Sequence, residues 1–272
     1  MADRELVAEI AGRYLPAGVA ARWLGLLRPA AALRYAGSGA RVAAVLGGRP
    51  WLPGSVEWPA WEGHGPLSYI GAIDCSALTA VPLDIAVPQA GMLLFFYFDG
   101  QLDDGRAVVY PEEPETLAGA RVLYLRPGQA ASPRECPAGL TPYDRVELAA
   151  EPVVTFPGFE HPDLQAAFNP SGEDLRSFLD HPVNGEAFSQ ALSRRRAGPC
   201  HQVGGYATPV QGPVESDAAV AEQARWRLLA QIDSDDRAGM MWGDAGTLYW
   251  LCRSAEMTGS YLPETAFTWQ CC

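Results

Sequence analysis

Carboxylates are densest in one short stretch, residues 233–244, which lies between two apolar runs. Asp233, Asp235 and Asp244 stand at positions 1, 3 and 12 of this stretch, a spacing that partly matches a calcium-binding loop. The match fails at position 5, where Arg237 replaces an oxygen ligand, and position 6 lacks the glycine that such a loop needs. The alternative is a hairpin-like connection whose aspartates accept hydrogen bonds from backbone N–H groups. We therefore predict no metal site.

A histidine and a glutamine, His201 and Gln202, follow Cys200 just before a Gly-Gly pair. A thiol and an imidazole can act as nucleophile and base, but adjacent residues of an extended chain point to opposite sides. The sequence contains neither a Gly-x-Ser-x-Gly nucleophile motif nor a common phosphate-binding glycine loop. His201 therefore contacts a ligand or is a hydrogen-bonded structural residue. We expect the other three histidines, which lie beside glycine or proline in turns, to be solvated: His64, His161 and His181.

Tryptophans are unusually frequent in loops rich in glycine and proline: Trp51, Trp58, Trp61 and Trp242. Aromatic side chains on rigid loops can form a binding surface, because little conformational entropy is lost when a partner docks. They can equally close the open ends of a β core. The sequence does not separate these two roles.

The elements that must position these residues follow from hydrophobic periodicity. Residues 1–35 predict two helices, since apolar residues recur every three or four positions and Asp3 can cap the first helix. Pro29 is expected to stop the second helix. Strands are predicted at 41–46, 67–74, 91–99, 106–110, 121–125, 145–148, 226–233 and 247–253. Two mid-chain helices are predicted, one opening at residues 171–174 and one capped by Asn184.

Two β regions resemble each other. Each has a Gly-Gly loop, a strand ending in Ile-Asp, and a glycine followed by an aromatic strand. The strand pairs are 67–74 with 226–233, and 91–96 with 246–251. We therefore predict an α+β fold with a mostly antiparallel sheet built from two related β units, plus N-terminal and mid-chain helices. A cleft between the units would be a natural ligand site.

Charge narrows the range of partners. The chain has 32 acidic and 20 basic residues, a net charge of −12, and every base is arginine. Such a balance disfavours nucleic-acid binding and adhesion to anionic membranes, since both need a basic face. Residues 1–50 hold 7 Arg and 3 acids, so this part is basic and the rest strongly acidic. An acidic surface would speed the capture of a basic protein partner.

The N-terminus lacks the pattern of a secretory signal, and the six cysteines show no CxxC spacing. We therefore expect a cytoplasmic protein with reduced thiols, no membrane association and no cofactor. The exclusive use of arginine and the abundance of alanine are typical of a GC-rich bacterial genome.

The combination of motifs resembles the YwqG-like family of bacterial proteins of unknown function. The resembling segments are 47–53, 58–59, 70–74, 91–96, 201–205, 228–235 and 242–246. The first unit departs from the pattern, because Ala72 stands where the second unit has Gln231. The resemblance implies a duplicated α+β domain and a role as an immunity protein beside polymorphic toxins. It implies no catalytic residues.

Our leading hypothesis is an intracellular binding protein that recognises a protein partner, with toxin immunity as one form of that role. The alternative is an enzyme, or a protein that binds a small molecule or metal in the cleft between the repeats. The sequence leaves open whether the protein is catalytic. The expected domains are 1–35, the N-terminal helices, and 36–272, one duplicated domain with β units at about 41–125 and 198–255. The predicted ligand-binding residues are Trp51, His201, Gln202, Gln231, Asp233, Trp242 and Asp244.

Overall fold

The computed structural model describes residues 2–170, 172, 175–194, 198–218, 226–253 and 265–272. The α-helices are α1 Ala2–Tyr14, α2 Ala17–Leu24, α3 Cys75–Leu78, α4 Pro162–Phe168, α5 Leu175–Leu179, α6 Glu186–Ser193 and α7 Val214–Ala218. Short 3-10 helices cover Pro114–Gly119 and Pro182–Asn184. The strands are β1 Arg28–Tyr35, β2 Ala44–Leu46, β3 Trp51–Leu52, β4 Ala60–Trp61, β5 Gly65–Pro66, β6 Ser68–Asp74, β7 Met92–Tyr97, β8 Ala120–Leu125, β9 Ser132–Pro133, β10 Val146–Thr155, β11 Gln202–Val203, β12 Trp226–Asp233, β13 Thr247–Arg253 and β14 Thr265–Gln270.

The described strands form one ten-stranded antiparallel sheet in the order β14-β13-β12-β11-β1-β10-β2-β6-β7-β8, with two small two-stranded sheets beside it. Helices lie at the N-terminus and in the middle of the chain. The predicted α+β class with two related β units is therefore confirmed.

The sheet order is symmetric about the central pair β1 and β10. On one side lie β2, β6, β7 and β8; on the other, in matching order, lie β11, β12, β13 and β14. Each repeat thus consists of five strands, β1-β2-β6-β7-β8 and β10-β11-β12-β13-β14. The first strand of each repeat pairs with the second strand of the other, since β1 pairs with β11 and β10 with β2. The repeats therefore exchange their first strands.

Irregularities of the backbone recur at matching positions. The register slips at Ile70 in the β6–β7 ladder and at Leu229 in the β12–β13 ladder, one β-bulge in each repeat. The Gly-Gly pairs 47–48 and 204–205, which follow β2 and β11, all adopt positive φ angles. Equivalent residues can therefore be assigned one by one across the repeats.

The N-terminal helices end earlier than predicted. Helix α2 stops at Leu24 rather than at Pro29, and residues 28–35, which the sequence pattern assigns to the helical N-terminal region, form the central strand β1. Pro29 fits a strand here because β11 pairs only with Ala31 and Ala32, so no second neighbour requires the missing N–H of Pro29. Helices α1, α2, α4, α5 and α6 share a small core of their own around Trp23 and Phe188.

Other predicted boundaries also shift. Residues 106–110 form no regular strand, because Thr116 Oγ1 rather than a neighbouring strand bonds the backbone N–H and C=O of Tyr110. Strand β10 runs to Thr155, beyond the predicted 145–148. Parts of the two predicted mid-chain helices, residues 171, 173–174 and 195–197, lie outside the described residues; the described parts are α5 and α6.

Candidate functional site

Four of the predicted ligand-binding residues lie together where β11 begins and β12 ends: His201, Gln202, Gln231 and Asp233. Asp233 accepts hydrogen bonds from Cys200 N (2.6 Å), Gln231 Nε2 (3.1 Å) and Thr247 Oγ1 (2.9 Å). The backbone N–H of Asp233 donates to His201 Nδ1 at 3.2 Å. The Asp233 carboxylate is therefore held by three donors of the protein itself.

His201 belongs to a buried network that sequence reasoning did not find. Its Nε2 lies 2.9 Å from Asp235 Oδ2, which also accepts a hydrogen bond from the Tyr35 hydroxyl at 2.9 Å. Because Nδ1 accepts a backbone N–H, Nε2 is the nitrogen that carries the proton. Burial raises the pKa of Asp235, but the hydrogen bonds from His201 and Tyr35 outweigh it and lower the value to about 2. The carboxylate therefore stays ionised and paired.

The stretch 233–244 behaves as the predicted alternative to a calcium loop. Asp235 Oδ1 accepts hydrogen bonds from the backbone N–H groups of Arg237 (2.8 Å) and Ala238 (3.2 Å). Its carboxylate thus closes a turn between β12 and β13. Across the described ranges, no group of three or more His, Cys, Asp or Glu is arranged to hold a metal ion.

The remaining predicted residues lie apart from this network. Trp51 is 62 % exposed, and Asp244 is exposed as well. Trp242 is buried and packs edge-on against Tyr97 and Tyr143, with ring centroids 6.1 Å and 5.6 Å away. Trp242 therefore closes the end of the core, whereas Trp51 and Asp244 face solvent.

The cavity beside His201 and Gln202 is small. It measures about 60 Å³ and is also lined by Arg34 and Cys200. Ordinary small-molecule sites occupy roughly 300–1,000 Å³, so this cavity suits a few water molecules.

Gln202 and Gln231 bind the chain itself. They are cross-strand partners in a row that continues to Tyr249, whereas the equivalent row of the first repeat is Val45, Ala72 and Leu94. The polar row thus exists in one repeat only. It faces residues 206–213, which we call the strap.

Side chains of several strands bind the backbone of the strap. Gln202 Nε2 donates to Tyr206 O (2.9 Å), and Gln231 Oε1 accepts from Thr208 N (2.8 Å). On the last strand, Gln270 Oε1 accepts from the backbone N–H groups of residues 210 and 211, and its Nε2 donates to the carbonyl of residue 212. The strap's backbone therefore finds the partners that a sheet neighbour would otherwise supply.

A cavity of about 360 Å³ lies between the strap and the loop 157–161. Its walls are mostly apolar and include Phe159, Val210 and Val214, while His161 and Glu215 supply polar groups. This cavity falls in the size range of ligand sites.

The expectation that His161 is solvated is wrong, because its side chain is only 12 % exposed. The fold places it against Tyr206 and Glu215, two residues far away in the sequence.

His161 and Glu215 form a close pair. His161 Nε2 lies 3.4 Å from Glu215 Oε1, and the Glu215 side chain is 7 % exposed. Neither of these two atoms has a hydrogen bond of ordinary geometry among the described residues. Burial raises the pKa of Glu215, but the nearby His161 Nε2, the backbone of Glu215 and the positive charge of Arg28 outweigh this effect, so the pKa lies below its usual value. The carboxylate is therefore ionised at neutral pH.

A second cavity, of about 400 Å³, adjoins the first. Gly158 and Phe159 line both, and the second is further lined by apolar residues of the helical core, including Trp23 and Leu179. Asn184 also lines it, with a buried Oδ1 that has no hydrogen-bond partner in the part of the chain the structure describes. We call the two cavities together the groove. No local sequence signal marks it, because its residues come from four separate segments.

None of the described helices combines the length and hydrophobicity that a membrane crossing needs. No curated protein matches the chain. One family model matches residues 44–271, which include nine of the ten strands of the large sheet and the strap. The chain therefore belongs to the family described as domain of unknown function DUF1963.

Proposed function

We propose that this protein binds another protein, and that the groove receives a segment of the partner that is both apolar and basic. The observation that carries the proposal is the junction of two cavities at Phe159, a side chain that is 52 % exposed. A large aromatic ring between two apolar cavities can pack against successive side chains of a bound segment.

The rim of the groove adds further apolar surface. Leu179 is 48 % exposed and Val210 is 39 % exposed, and each lines one of the two cavities. Exposed apolar side chains that surround a cavity are typical of interaction sites. Asn184 Oδ1, which has no hydrogen-bond partner among the described residues, can accept a hydrogen bond from the backbone of a bound segment.

Charge favours a basic partner. Glu160 and Glu215 line the first cavity, and the chain as a whole carries a net charge of −12. Like charges would repel an acidic segment, whereas a basic one would be drawn to the site at low ionic strength.

A peptide-display selection tests the proposal. Random dodecapeptides are selected on the wild-type protein, and the enriched peptides are titrated by fluorescence anisotropy. We expect peptides that combine Lys or Arg with apolar residues, and affinity that falls as salt is added. Gly158→Trp should weaken binding about tenfold or more, because a new Cβ at residue 158 meets open space and the indole can fill the junction.

Gly37→Trp is the matched control, since Gly37 is also exposed and its new Cβ also meets nothing within 4 Å. It should leave binding unchanged. Peptides that bind Gly158→Trp as tightly as wild type would contradict the proposal. So would loss of binding in Trp51→Ala alone, because the partner would then dock at the Trp51 loop.

The YwqG-like resemblance and the toxin-immunity role stay predictions and fit this proposal. In that setting the partner is a toxin with a basic, apolar segment. Co-expression with the product of a neighbouring toxin gene is the test: wild type should restore growth and Gly158→Trp should not.

A further inference from the structure

The arginine nearest to the strap forms its ion pairs with two aspartates rather than with Glu215. Arg28 Nη2 binds Asp163 Oδ2 at 2.5 Å, and Arg28 Nε lies 3.8 Å from Asp84 Oδ2. The positive charge of Arg227 also acts on both aspartates. The positive charge of Arg28 acts on Glu215 as well, but among the described residues no arginine lies within 4.0 Å of the Glu215 carboxylate, whose close neighbour is His161.

His161 does not supply the missing positive charge. The backbone N–H of Asp163 donates to His161 Nδ1 at 3.0 Å, so this nitrogen acts as an acceptor and carries no proton. The single proton of the ring then lies on Nε2, toward Glu215. The ring is neutral, and the His161–Glu215 pair keeps a net negative charge.

The Glu215 carboxylate lines an apolar cavity with an unfilled acceptor. Oε1 is buried and has no hydrogen bond of ordinary geometry among the described residues, while Val214 and Phe159 offer apolar walls nearby. A buried anion of this kind is strongly stabilised by a cation that can donate hydrogen bonds. The apolar walls can pack against the hydrocarbon part of a ligand. The volume of about 360 Å³ accommodates one large side chain or a small amine.

We propose that Glu215, oriented by His161, binds the protonated amino or guanidinium group of the ligand, whose apolar part fills the cavity. This inference rests on the proposed groove and names the group that the groove selects. Glu215 thereby gives the site a specific point of recognition rather than a general preference for positive charge.

Small probes test the inference without a known partner. Phenethylamine is compared with 2-phenylethanol, which has the same ring and chain length but no charge, by chemical-shift perturbation of the protein. We expect the amine to bind roughly 10- to 100-fold more tightly than the alcohol and to shift the amide signals of residues 159–161 and of the residues other than proline within 207–215. Equal affinity for amine and alcohol would overturn the inference, and this comparison needs only the wild-type protein.

A pair of variants separates the buried acid from general charge. Glu215→Gln keeps the size and removes the charge, so the affinity for phenethylamine should fall by the same 10- to 100-fold. Glu160→Gln removes an exposed acid from the rim of the same cavity and should change affinity by less than about threefold. An equal loss in both variants would contradict a role specific to Glu215.

The outcomes distinguish this inference from the proposed function. Selected peptides that require an open groove but no amino or guanidinium group would overturn the role of Glu215 and leave partner binding intact. Phenethylamine binding that depends on Glu215, without any enriched peptide, would support the amine site and overturn the polypeptide occupant.

Discussion

Phe95 and Trp250 occupy the same position in the two repeats, and their rings pack against each other with centroids 4.9 Å apart. Phe95 pairs with Gly71 and Trp250 pairs with Ala230, in each case directly after the β-bulge. The two halves of the sheet therefore bury their equivalent faces against each other, and both belong to one core. Neither repeat covers that face by itself.

Removal of one of these rings should destabilise the whole domain. Phe95 is fully buried, so Phe95→Ala should lower the free energy of unfolding by about 3–5 kcal/mol. Trp51→Ala, at a side chain that is 62 % exposed, should change it by less than about 0.5 kcal/mol. Chemical denaturation followed by fluorescence and circular dichroism measures both, and similar losses in the two variants would contradict the shared core.

The Gly-Gly pair after β11 should tolerate no side chain. Gly205 has a φ of +72°, and a Cβ there would lie 2.4 Å from Thr155 Oγ1. Gly39 has a similar φ of +78° with nothing within 4 Å, so Gly39→Ala isolates the cost of backbone strain. We expect Gly205→Ala to be less stable than Gly39→Ala by about 1–3 kcal/mol in the same denaturation assay. Equal losses would show that the backbone around Gly205 can move to make room for the new Cβ.

Asp235 should contribute to the loss of stability in acid. Its pKa is about 2 in the folded protein, against 3.8 for the ordinary group. A lowered pKa stabilises the fold above about pH 4, and this contribution is lost as the pH falls toward 2. Wild type should therefore lose more stability than Asp235→Asn over that interval.

At pH 7 the same substitution should cost about 1–3 kcal/mol, because Asn cannot accept hydrogen bonds from His201 and Tyr35 as a carboxylate does. Asp236→Asn, at the exposed neighbouring position, serves as control and should keep the wild-type acid profile. If the free energy of unfolding of Asp235→Asn and of wild type fell in parallel as the pH was lowered, the lowered pKa of Asp235 would be contradicted.

Gln270 should hold the strap at one end. Gln270→Met keeps the length of the side chain but removes the acceptor for the N–H groups of Val210 and Gln211. Hydrogen–deuterium exchange of these two amides should accelerate, because they lose protection by a buried partner. The matched variant Gln231→Met should instead accelerate the amide of Thr208. Uniform acceleration across the chain in either variant would indicate a global loss of stability rather than release of the strap.

Local sequence patterns anticipated the paired strands well. The runs that end in Ile73-Asp74 and Ile232-Asp233 form β6 and β12, and the aromatic runs that follow form β7 and β13. These predictions held because alternation, β-branched and aromatic residues, and glycine in turns act within a few residues of one another. Residues 28–35, which the sequence pattern assigns to the helical N-terminal region, form a strand for the converse reason, since the pairing of β1 with β10 outweighs the local helical pattern.

By itself, the sequence determined the repeated β units, their turns and the polarity of the His201–Gln202 segment. Only the tertiary structure decided that the repeats exchange their first strands and that Gln202 and Gln231 bind a strap. It also brought His161 to within 3.4 Å of Glu215, 54 positions along the chain. Which distant surfaces become buried together depends on the packing of the whole sheet, and burial is what turns an ordinary histidine and glutamate into a site.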